Sequence, residues 1–242
     1  MEKGFLSVLC APDTYEELEN VSEDESRGRS REVLVSTVSG TRFQMKKGIP
    51  VLLKDSRVSG ETRKNRQFYD MIAPFYNILH EIQGIKKGGE GKLRQNILSS
   101  LKIGKGDKVL EVPIGTGSNL PYLPQDAEYF GVDISFPMLQ QCARMIKKHD
   151  VNGKLVLGAA EYLPFKDNIF DCVFSISGFR LFSDKAKALQ EMARVARHGA
   201  MILIADQKKT GVPLDLLPKR MSDVQVRDIN EWELYCLTFR KQ

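Results

Sequence analysis

The chain has 242 residues, of which 42% are hydrophobic and 28% charged, and its formal net charge at pH 7 is +5. This composition is typical of a soluble globular protein, and so small a charge does not by itself select nucleic acid or an acidic membrane as a partner. The four cysteines include no C-x-x-C pair, so a disulfide framework is not expected. No apolar run approaches the roughly 20 residues that span a bilayer, and no signal-peptide pattern is present. We therefore expect a soluble, cytoplasmic protein.

Residues 1–55 differ in pattern from the rest of the chain. The segments GFLSVLC, EVLVSTVSG and TRFQMKKGIPVLL favour short strands, the last with a turn at Lys47 and Gly48. The polar, highly charged segment from Glu19 to Glu32 predicts a mobile loop between them. We therefore expect a small β-rich module over residues 1–55 and a second domain over residues 56–242.

The second domain begins with helices and continues with alternating strands and helices. Apolar residues recur at helical spacing from Phe68 to Leu79 and again from Leu93 to Leu101. From Asp107 the strands KVLEV, EYFGVDI, GKLVLGAA, FDCVFSIS and AMILIAD alternate with helical segments, and VQVRDI and LYCLTF favour a closing pair of strands. Such alternation predicts an α/β fold with a doubly wound, mostly parallel sheet of seven strands and helices on both faces.

A glycine-rich segment, EVPIGTG, follows the first strand of this alternating region. Ligands of open parallel sheets bind beyond the carboxyl ends of the strands, so this loop lies where a cofactor is expected. The dinucleotide pattern G-x-G-x-x-G is excluded because Leu120 takes the place of the third glycine, and no Gly-Lys-Ser/Thr follows to make a P-loop. Asp133 ends the next strand, where a carboxylate can accept hydrogen bonds from both hydroxyls of a ribose. A strand-end cap is the alternative role for Asp133.

Together with GAAEYLPF, NIFDCVFS and ALQEMARVARHGAMILIAD, these segments resemble, in their order and spacing, the class I S-adenosylmethionine-dependent methyltransferases. The resemblance covers roughly residues 65–205 and implies a Rossmann-like fold. The upstream segment FYDMIAPFYNIL is similar to the one that precedes the core in methyltransferases of the ubiquinone/menaquinone type. The resemblance therefore implies S-adenosylmethionine as cofactor and S-adenosylhomocysteine as product.

The resemblance also implies roles for individual residues. The loop after the first strand would face the methionine end of the cofactor, through Glu111, Pro113, Gly115 and Gly117. Asp133 would hold the ribose and Ile134 would pack on the adenine, whose edge Ala160 and Glu161 would flank. Ser175 and Ser177 would lie under the transferred methyl group, and Tyr69 and Tyr76 would close over the site or only pack beside it.

Three features depart from the family pattern, one of which, ARHGA in place of the usual LKPGG before the fifth strand, concerns a turn remote from the chemistry. Pro113 replaces the usual first glycine of the loop. Proline keeps its carbonyl oxygen, so we expect a stiffer loop that still binds the cofactor. Ala159 stands where the family commonly has an aspartate that accepts from the adenine amino group, and Glu161 is a candidate substitute.

Two observations bear on the acceptor of the methyl group: the sequence lacks the signature motifs of some acceptor classes, and it has apolar residues near the expected acceptor side. Methyl transfer from a sulfonium mainly needs the nucleophile held in line, so no catalytic residue is assigned. The segment SISGF lacks the Asn/Asp-Pro-Pro-aromatic signature of amino-group methylation on adenine or cytosine, and no Pro-Cys pair provides a thiolate. Phe179, Leu181 and Phe182 suit a hydrophobic small molecule, although core packing explains them equally well.

The N-terminal segment resembles the small Trm112-like zinc-ribbon module that accompanies some methyltransferases. Cys10 and Asp13 stand at the first of the two metal-binding knuckles, Ser36 and Ser39 at the second, and Phe43 and GIP follow as in the pattern. One cysteine, one aspartate and two serines are a poor set for tetrahedral zinc, so we expect a ribbon without metal. Fusion of such a module keeps an RNA methyltransferase open as an alternative. The departures at Pro113 and Ala159, together with the lost zinc ligands, keep open a catalytically inactive partner protein. The sequence carries no signal for an oligomeric state.

Overall fold

The computed structural model describes residues 1–25, 29–54, 58, 60–76 and 89–242. The N-terminal part contains helix α1 and an antiparallel sheet of four strands in the order β1-β2-β3-β4. The bounds are α1 Lys3–Val8, β1 Leu18–Glu25, β2 Arg29–Ser36, β3 Arg42–Lys46 and β4 Ile49–Pro50.

Two sequence predictions in this part are wrong. Residues 4–8 belong to α1 and not to a strand, since Phe5 and Val8 are both buried, at a spacing that puts them on one face of a helix. The segment from Glu19 to Glu32 is not a loop over its described residues, because β1 and β2 pair along it. The register places Glu23 opposite Arg31, and cross-strand pairs of opposite charge stabilise a hairpin that has few apolar residues.

The rest of the chain forms the expected α/β fold. Its helices are α2 Gly60–Ile72, α3 Glu90–Leu98, α4 Phe136–Lys148 and α5 Lys185–Val195. Its strands are β5 Lys108–Glu111, β6 Glu128–Asp133, β7 Gly153–Leu157, β8 Phe170–Ile176, β9 Ala196–Gln207, β10 Met221–Ile229 and β11 Leu234–Lys241. Part of the helix predicted from Phe68 to Leu79 lies outside the described residues.

The seven strands form one sheet in the order β10-β11-β9-β8-β5-β6-β7. Neighbours from β9 to β7 are parallel, and β11 pairs antiparallel with both β9 and β10. The chain runs from β5 outward to β7 on one side and from β8 to β9 on the other. The strand order therefore reverses between β5 and β8, which confirms the predicted doubly wound sheet and marks where a ligand crevice is expected.

The N-terminal sheet packs directly against the edge of the large sheet. Val51 forms a parallel bridge with Leu157 of β7, and the Leu52 amide donates to the Leu157 carbonyl at 2.9 Å. Leu9 bridges Phe165 in antiparallel orientation. Side chains of both parts share one buried hydrophobic cluster, so apolar packing joins the N-terminal strands to the face of the large sheet. No helix of the described residues is long and apolar enough to cross a membrane.

Candidate active site

A cleft lies at the carboxyl ends of β5, β6, β7 and β8, where the strand order reverses. It encloses about 940 Å³ of empty space including its open mouth. Ten of the twelve residues predicted from the sequence line it, namely Tyr69, Tyr76, Glu111, Pro113, Gly115, Asp133, Ile134, Ala160, Glu161 and Ser177. The structure therefore brings together residues that are up to 108 positions apart in the chain.

Glu111 ends β5 and is the most unusual polar side chain of the cleft. Only 4% of its surface is exposed, and its Oε1 accepts a hydrogen bond from Asn119 Nδ2 at 2.5 Å. Its other oxygen, Oε2, is buried and has no hydrogen-bond partner among the described residues. Burial raises the pKa of this carboxyl to about 8. An unpartnered buried carboxylate is costly, so the cleft is built to receive a donor or a cation at Oε2.

Asp133 ends β6 and fixes the glycine loop. Its Oδ2 accepts from the Gly115 amide at 2.8 Å, and its Oδ1 accepts from the Ser135 amide at 2.9 Å. Burial raises the pKa of this carboxyl to about 6, while the backbone donors oppose the shift. Gly115 has a φ of 57°, a left-handed conformation that glycine adopts without a steric penalty. Each carboxylate oxygen keeps a second lone pair, so Asp133 can still accept from hydroxyls of a ligand.

Pro113 is accommodated by a glycine on the neighbouring strand end. A Cβ atom placed on Gly178 would lie 2.3 Å from Pro113 Cδ, far inside van der Waals contact. Gly178 follows β8, and both residues line the cleft. The proline that departs from the family pattern is therefore matched by the absence of a side chain at residue 178.

Two predicted site residues do not line the cleft. Gly117 packs inward, because a Cβ atom there would lie 2.8 Å from Cys142 Sγ and 2.9 Å from Leu120 Cδ1. Ser175 lies within β8 and is fully buried, while Ser177, beyond the end of that strand, reaches the cleft. Gly117 therefore serves the packing of the loop on α4, and Ser175 is one strand position too early to meet a ligand.

Glu161 lines the cleft but is already engaged. Its Oε1 accepts from the Ser183 amide at 2.9 Å, from Ser183 Oγ at 2.8 Å and from the Asp184 amide at 3.3 Å. These donors lie at the start of α5, so the carboxylate anchors that turn. Ala159 is buried and is not among the residues that line the cleft. The geometry does not favour Glu161 as a substitute for an aspartate at residue 159.

Tyr69 and Tyr76 face the cleft side by side. Their ring centroids are 6.2 Å apart at an edge-on angle of 61°. Burial raises the pKa of both phenols, that of Tyr76 to about 12. Both hydroxyls are therefore protonated at neutral pH and can form hydrogen bonds but cannot serve as bases.

The sequence reasoning missed Arg94 and Asn119. Arg94 lies on α3 and Asn119 follows the glycine loop, and both line the cleft. Arg94 Nη1 donates to Asn119 Oδ1, which orients the amide so that its Nδ2 donates to Glu111. The position of Asn119, two residues after Gly117, was a usable signal for a polar residue near the loop, but the approach of α3 was not visible in the sequence.

The turn at Ser36 and Ser39, which the sequence predicts to be a second knuckle, is closed by a carboxylate. Ser36 Oγ and Ser39 Oγ both donate to Glu16 Oε2, the latter at 2.6 Å, and the Ser39 amide donates to Ser36 Oγ at 3.2 Å. These hydroxyl donors lower the pKa of Glu16. Across the described ranges there is no group of three or more His, Cys, Asp or Glu that could hold a metal ion. Hydrogen bonds to Glu16 thus hold together the turn that contains Ser36 and Ser39.

The fold and the position of the cleft resemble those of class I methyltransferase domains. Residues 110–204 match the family Methyltransf_11, described as a methyltransferase domain. A solved S-adenosylmethionine-dependent methyltransferase from Aquifex aeolicus shares the fold with a TM-score of 0.51 and 22% identity, over 60% of this chain and 88% of that one. The predicted resemblance to class I S-adenosylmethionine-dependent methyltransferases is confirmed.

Comparison of the sequences finds relatives whose names give a particular substrate. The demethylmenaquinone methyltransferase of Paenarthrobacter aurescens (strain TC1) is 31% identical over 162 residues, which is 66% of this chain and 62% of the relative. The chain therefore matches less than two thirds of that enzyme's length. The solved [4+2]-cyclase SpnF has the same fold with a TM-score of 0.60 and 16% identity, over 81% of this chain and 99% of that one. The fold therefore also occurs in a protein named for a different reaction, and the chemistry has to be argued from the site.

Proposed function

We propose that this protein is an S-adenosylmethionine-dependent methyltransferase that acts on a small, largely apolar acceptor. The observation that carries the proposal is the unpartnered Oε2 of Glu111, buried in the cleft at the end of β5. The ammonium group of the methionine moiety is a cationic donor and supplies the partner that this oxygen lacks. The residues present therefore fit the cofactor.

The other cleft residues have roles that suit the same ligand. We assign the ribose hydroxyls to Asp133 and the adenine faces to Ile134 and Ala160, since these residues line the cleft next to the ends of β6 and β7. The loop through Pro113 and Gly115 brings backbone close to the methionine end. Ser177, beyond the end of β8, lies on the acceptor side.

Methyl transfer from this cofactor uses a methyl group that the sulfonium already activates. The protein has to hold the acceptor in line and keep water out. Ile176, Leu181 and Phe182 line the cleft near the end of β8 and form an apolar wall suited to that task. Tyr69 and Tyr76, protonated at neutral pH, can orient an acceptor oxygen by hydrogen bonding. This arrangement favours a hydrophobic acceptor, in keeping with the demethylmenaquinone after which the relative is named.

We also propose that residues 1–55 are a Trm112-like module that has exchanged its metal for the hydrogen bonds of Glu16. The matching positions at Ser36 and Ser39 support this proposal. The protein is proposed to act in the cytoplasm, because Cys10, Cys142, Cys172 and Cys236 are all free and buried, as a reducing compartment permits.

The test is methyl transfer from S-adenosylmethionine with a labelled methyl group, supplied with cell extract split into organic-soluble molecules, RNA and protein. We expect label in the organic-soluble fraction with the natural chain and none with Gly115→Val. Label in RNA would identify the RNA alternative as correct. Cofactor binding without label in any fraction would identify an inactive partner protein and contradict the proposal.

A further inference from the structure

Pro113 lies where the hydrogen bonds of the first core strand pass from one neighbouring strand to the other. The Val112 amide donates to the Phe174 carbonyl of β8 at 3.0 Å, and the Ile114 amide donates to the Val132 carbonyl of β6 at 2.9 Å. Proline has no amide hydrogen, so no donor is left unpaired between these two bonds. Pro113 therefore occupies the point where the sheet divides into its two halves, at the base of the cleft that it lines.

The ring of Pro113 is directed to the β8 side of this point. A Cβ atom on Gly178 would lie 2.3 Å from Pro113 Cδ and 2.4 Å from its Cγ, so the ring fills the space that a side chain at residue 178 would take. Pro113 is half-buried, whereas its chain neighbours Val112 and Ile114 are buried. Because Pro113 lines the cleft, the part of its surface that stays accessible belongs to the cleft.

The loop after β8 supplies the wall that this ring completes. Four residues of the loop line the cleft, namely Ser177, Gly178, Leu181 and Phe182. The loop is held at its start, since the Ser177 amide donates to the Ala205 carbonyl at 2.8 Å and the Ser177 carbonyl accepts from Arg180 Nη1 at 2.7 Å. A wall held by its backbone moves little for a larger ligand, so the bulk at Pro113 and Gly178 determines the shape of the cleft on this side.

We infer that the ring of Pro113, together with the missing side chain of Gly178, sets the size and the position of the methyl acceptor. This inference rests on the proposed function, in which the loop after β8 lies on the acceptor side. The backbone of the β5 loop then serves the cofactor, and the ring of Pro113 serves the acceptor. A role in packing alone explains less, because filling the space between two strand ends does not require a surface in the cleft.

The inference is tested with S-adenosylmethionine that carries a labelled methyl group and with a dilution series of the organic-soluble fraction of cell extract as the acceptor probe. Pro113→Ala keeps a Cβ atom and removes Cγ and Cδ, the atoms that approach residue 178. We expect this variant to raise the half-saturating amount of extract about 4- to 15-fold, as for lost contact with one or two CH₂ groups. The KM for S-adenosylmethionine should change less than about 2-fold, since only acceptor binding is affected.

A double variant separates this role from packing. Pro113→Gly combined with Gly178→Ala moves the bulk from the end of β5 to the end of β8. It should regain most of the stability that Gly178→Ala loses in urea unfolding, but it should label a different set of molecules in the extract than the natural chain does. Pro124→Ala, at an exposed proline outside the cleft, is the matched control and should leave the half-saturating amount and the labelled molecules unchanged.

Three results would overturn the inference. Unchanged half-saturation and unchanged labelled molecules with Pro113→Ala would show that the ring does not meet the acceptor. An equal rise for the extract and for S-adenosylmethionine would show that the ring supports the whole cleft. Full return of the natural set of labelled molecules in the double variant would show that the pair only packs. Failure of the proposed function looks different, because the natural chain itself would then label no molecule in the extract.

Discussion

Replacing Glu111 by glutamine should make the empty protein more stable and its cofactor complex weaker. The carboxyl is buried with one unpartnered oxygen, and its pKa is raised from 4.5 to about 8. Below pH 4.5 the group is protonated in both the folded and the unfolded chain. Above that pH the unfolded chain loses the proton first, so the folded state loses stability as the pH rises towards 8.

The size of this change in stability follows from the pKa shift of Glu111. A change from 4.5 to about 8 is 3.5 pH units, which corresponds to a free energy of the order of 5 kcal/mol at about 1.4 kcal/mol per unit. Glutamine has no proton to lose in this range, so Glu111→Gln should gain stability over the natural chain steadily between pH 5 and pH 8. Asp133 also titrates in this window and is present in both proteins, and because its charge raises the pKa of Glu111 less than burial does, most of its contribution cancels in the difference.

The assay is urea unfolding of both proteins at pH 5, 6, 7 and 8, with Glu231→Gln as a control at an exposed carboxylate. The difference in unfolding free energy should increase with pH for Glu111→Gln and stay near zero for Glu231→Gln. Equal pH dependence in the natural chain and Glu111→Gln would refute the reasoning, because Glu111 would then be ionised or solvated in the empty cleft. The same variant should bind S-adenosylhomocysteine at least about 10-fold more weakly, through loss of a charge-assisted bond.

Three further predictions concern the loop, its neighbour and the N-terminal knuckle. Gly178→Ala should lower the free energy of unfolding by about 1–3 kcal/mol, because the new Cβ would lie 2.3 Å from Pro113 Cδ. In urea unfolding, adding Pro113→Gly should recover most of this loss, and no recovery would show that the clash is not with Pro113. In calorimetry, Pro113→Gly alone should keep the affinity for S-adenosylhomocysteine, whereas Gly115→Val should lose it, because valine does not tolerate a φ of 57°. Unchanged affinity in both variants would disprove the assignment of this loop to the cofactor. Glu16→Ala should lower the Tm in a thermal scan by a few degrees, since the knuckle hydroxyls lose their shared acceptor, and adding zinc to the natural chain should not raise it.

The strands of the large sheet were predictable because buried parallel strands have continuous apolar sequences. Segments such as FDCVFSIS and AMILIAD, bounded by turns, correspond to β8 and the end of β9, and their alternation with helices predicts the doubly wound order. The ends of these strands then locate the cleft, which is why Glu111 and Asp133, which line it, could be found from sequence.

The N-terminal part was harder to predict because its stability depends on pairing and not on a local pattern. GFLSVLC fits a strand or a helix equally well, and only the burial of Phe5 and Val8 against the large sheet decides for α1. The charged segment of β1 and β2 lacks apolar alternation, and its strands are recognised only by their antiparallel register, in which Glu23 lies opposite Arg31.

The polar contacts of the site depend on distances that the sequence does not encode locally. Arg94 and Glu111 are joined through Asn119 only after α3 has packed beside the loop. Glu161 was correctly placed at the cleft, but its bond to the Ser183 amide depends on how α5 begins. Gly117 was included because it belongs to the motif, and its role in packing against Cys142 could not be distinguished from a role in binding.

The most direct test of the central claim is calorimetric titration of the natural chain with S-adenosylhomocysteine at pH 7 in two buffers that differ in ionisation enthalpy. One site should bind one ligand and release a proton, because Glu111, with a pKa of about 8 in the empty cleft, becomes ionised when it meets the ammonium group. Glu111→Gln should release no proton from this position. Absence of binding by the natural chain at millimolar ligand would contradict the claim that this cleft holds the cofactor of a methyltransferase.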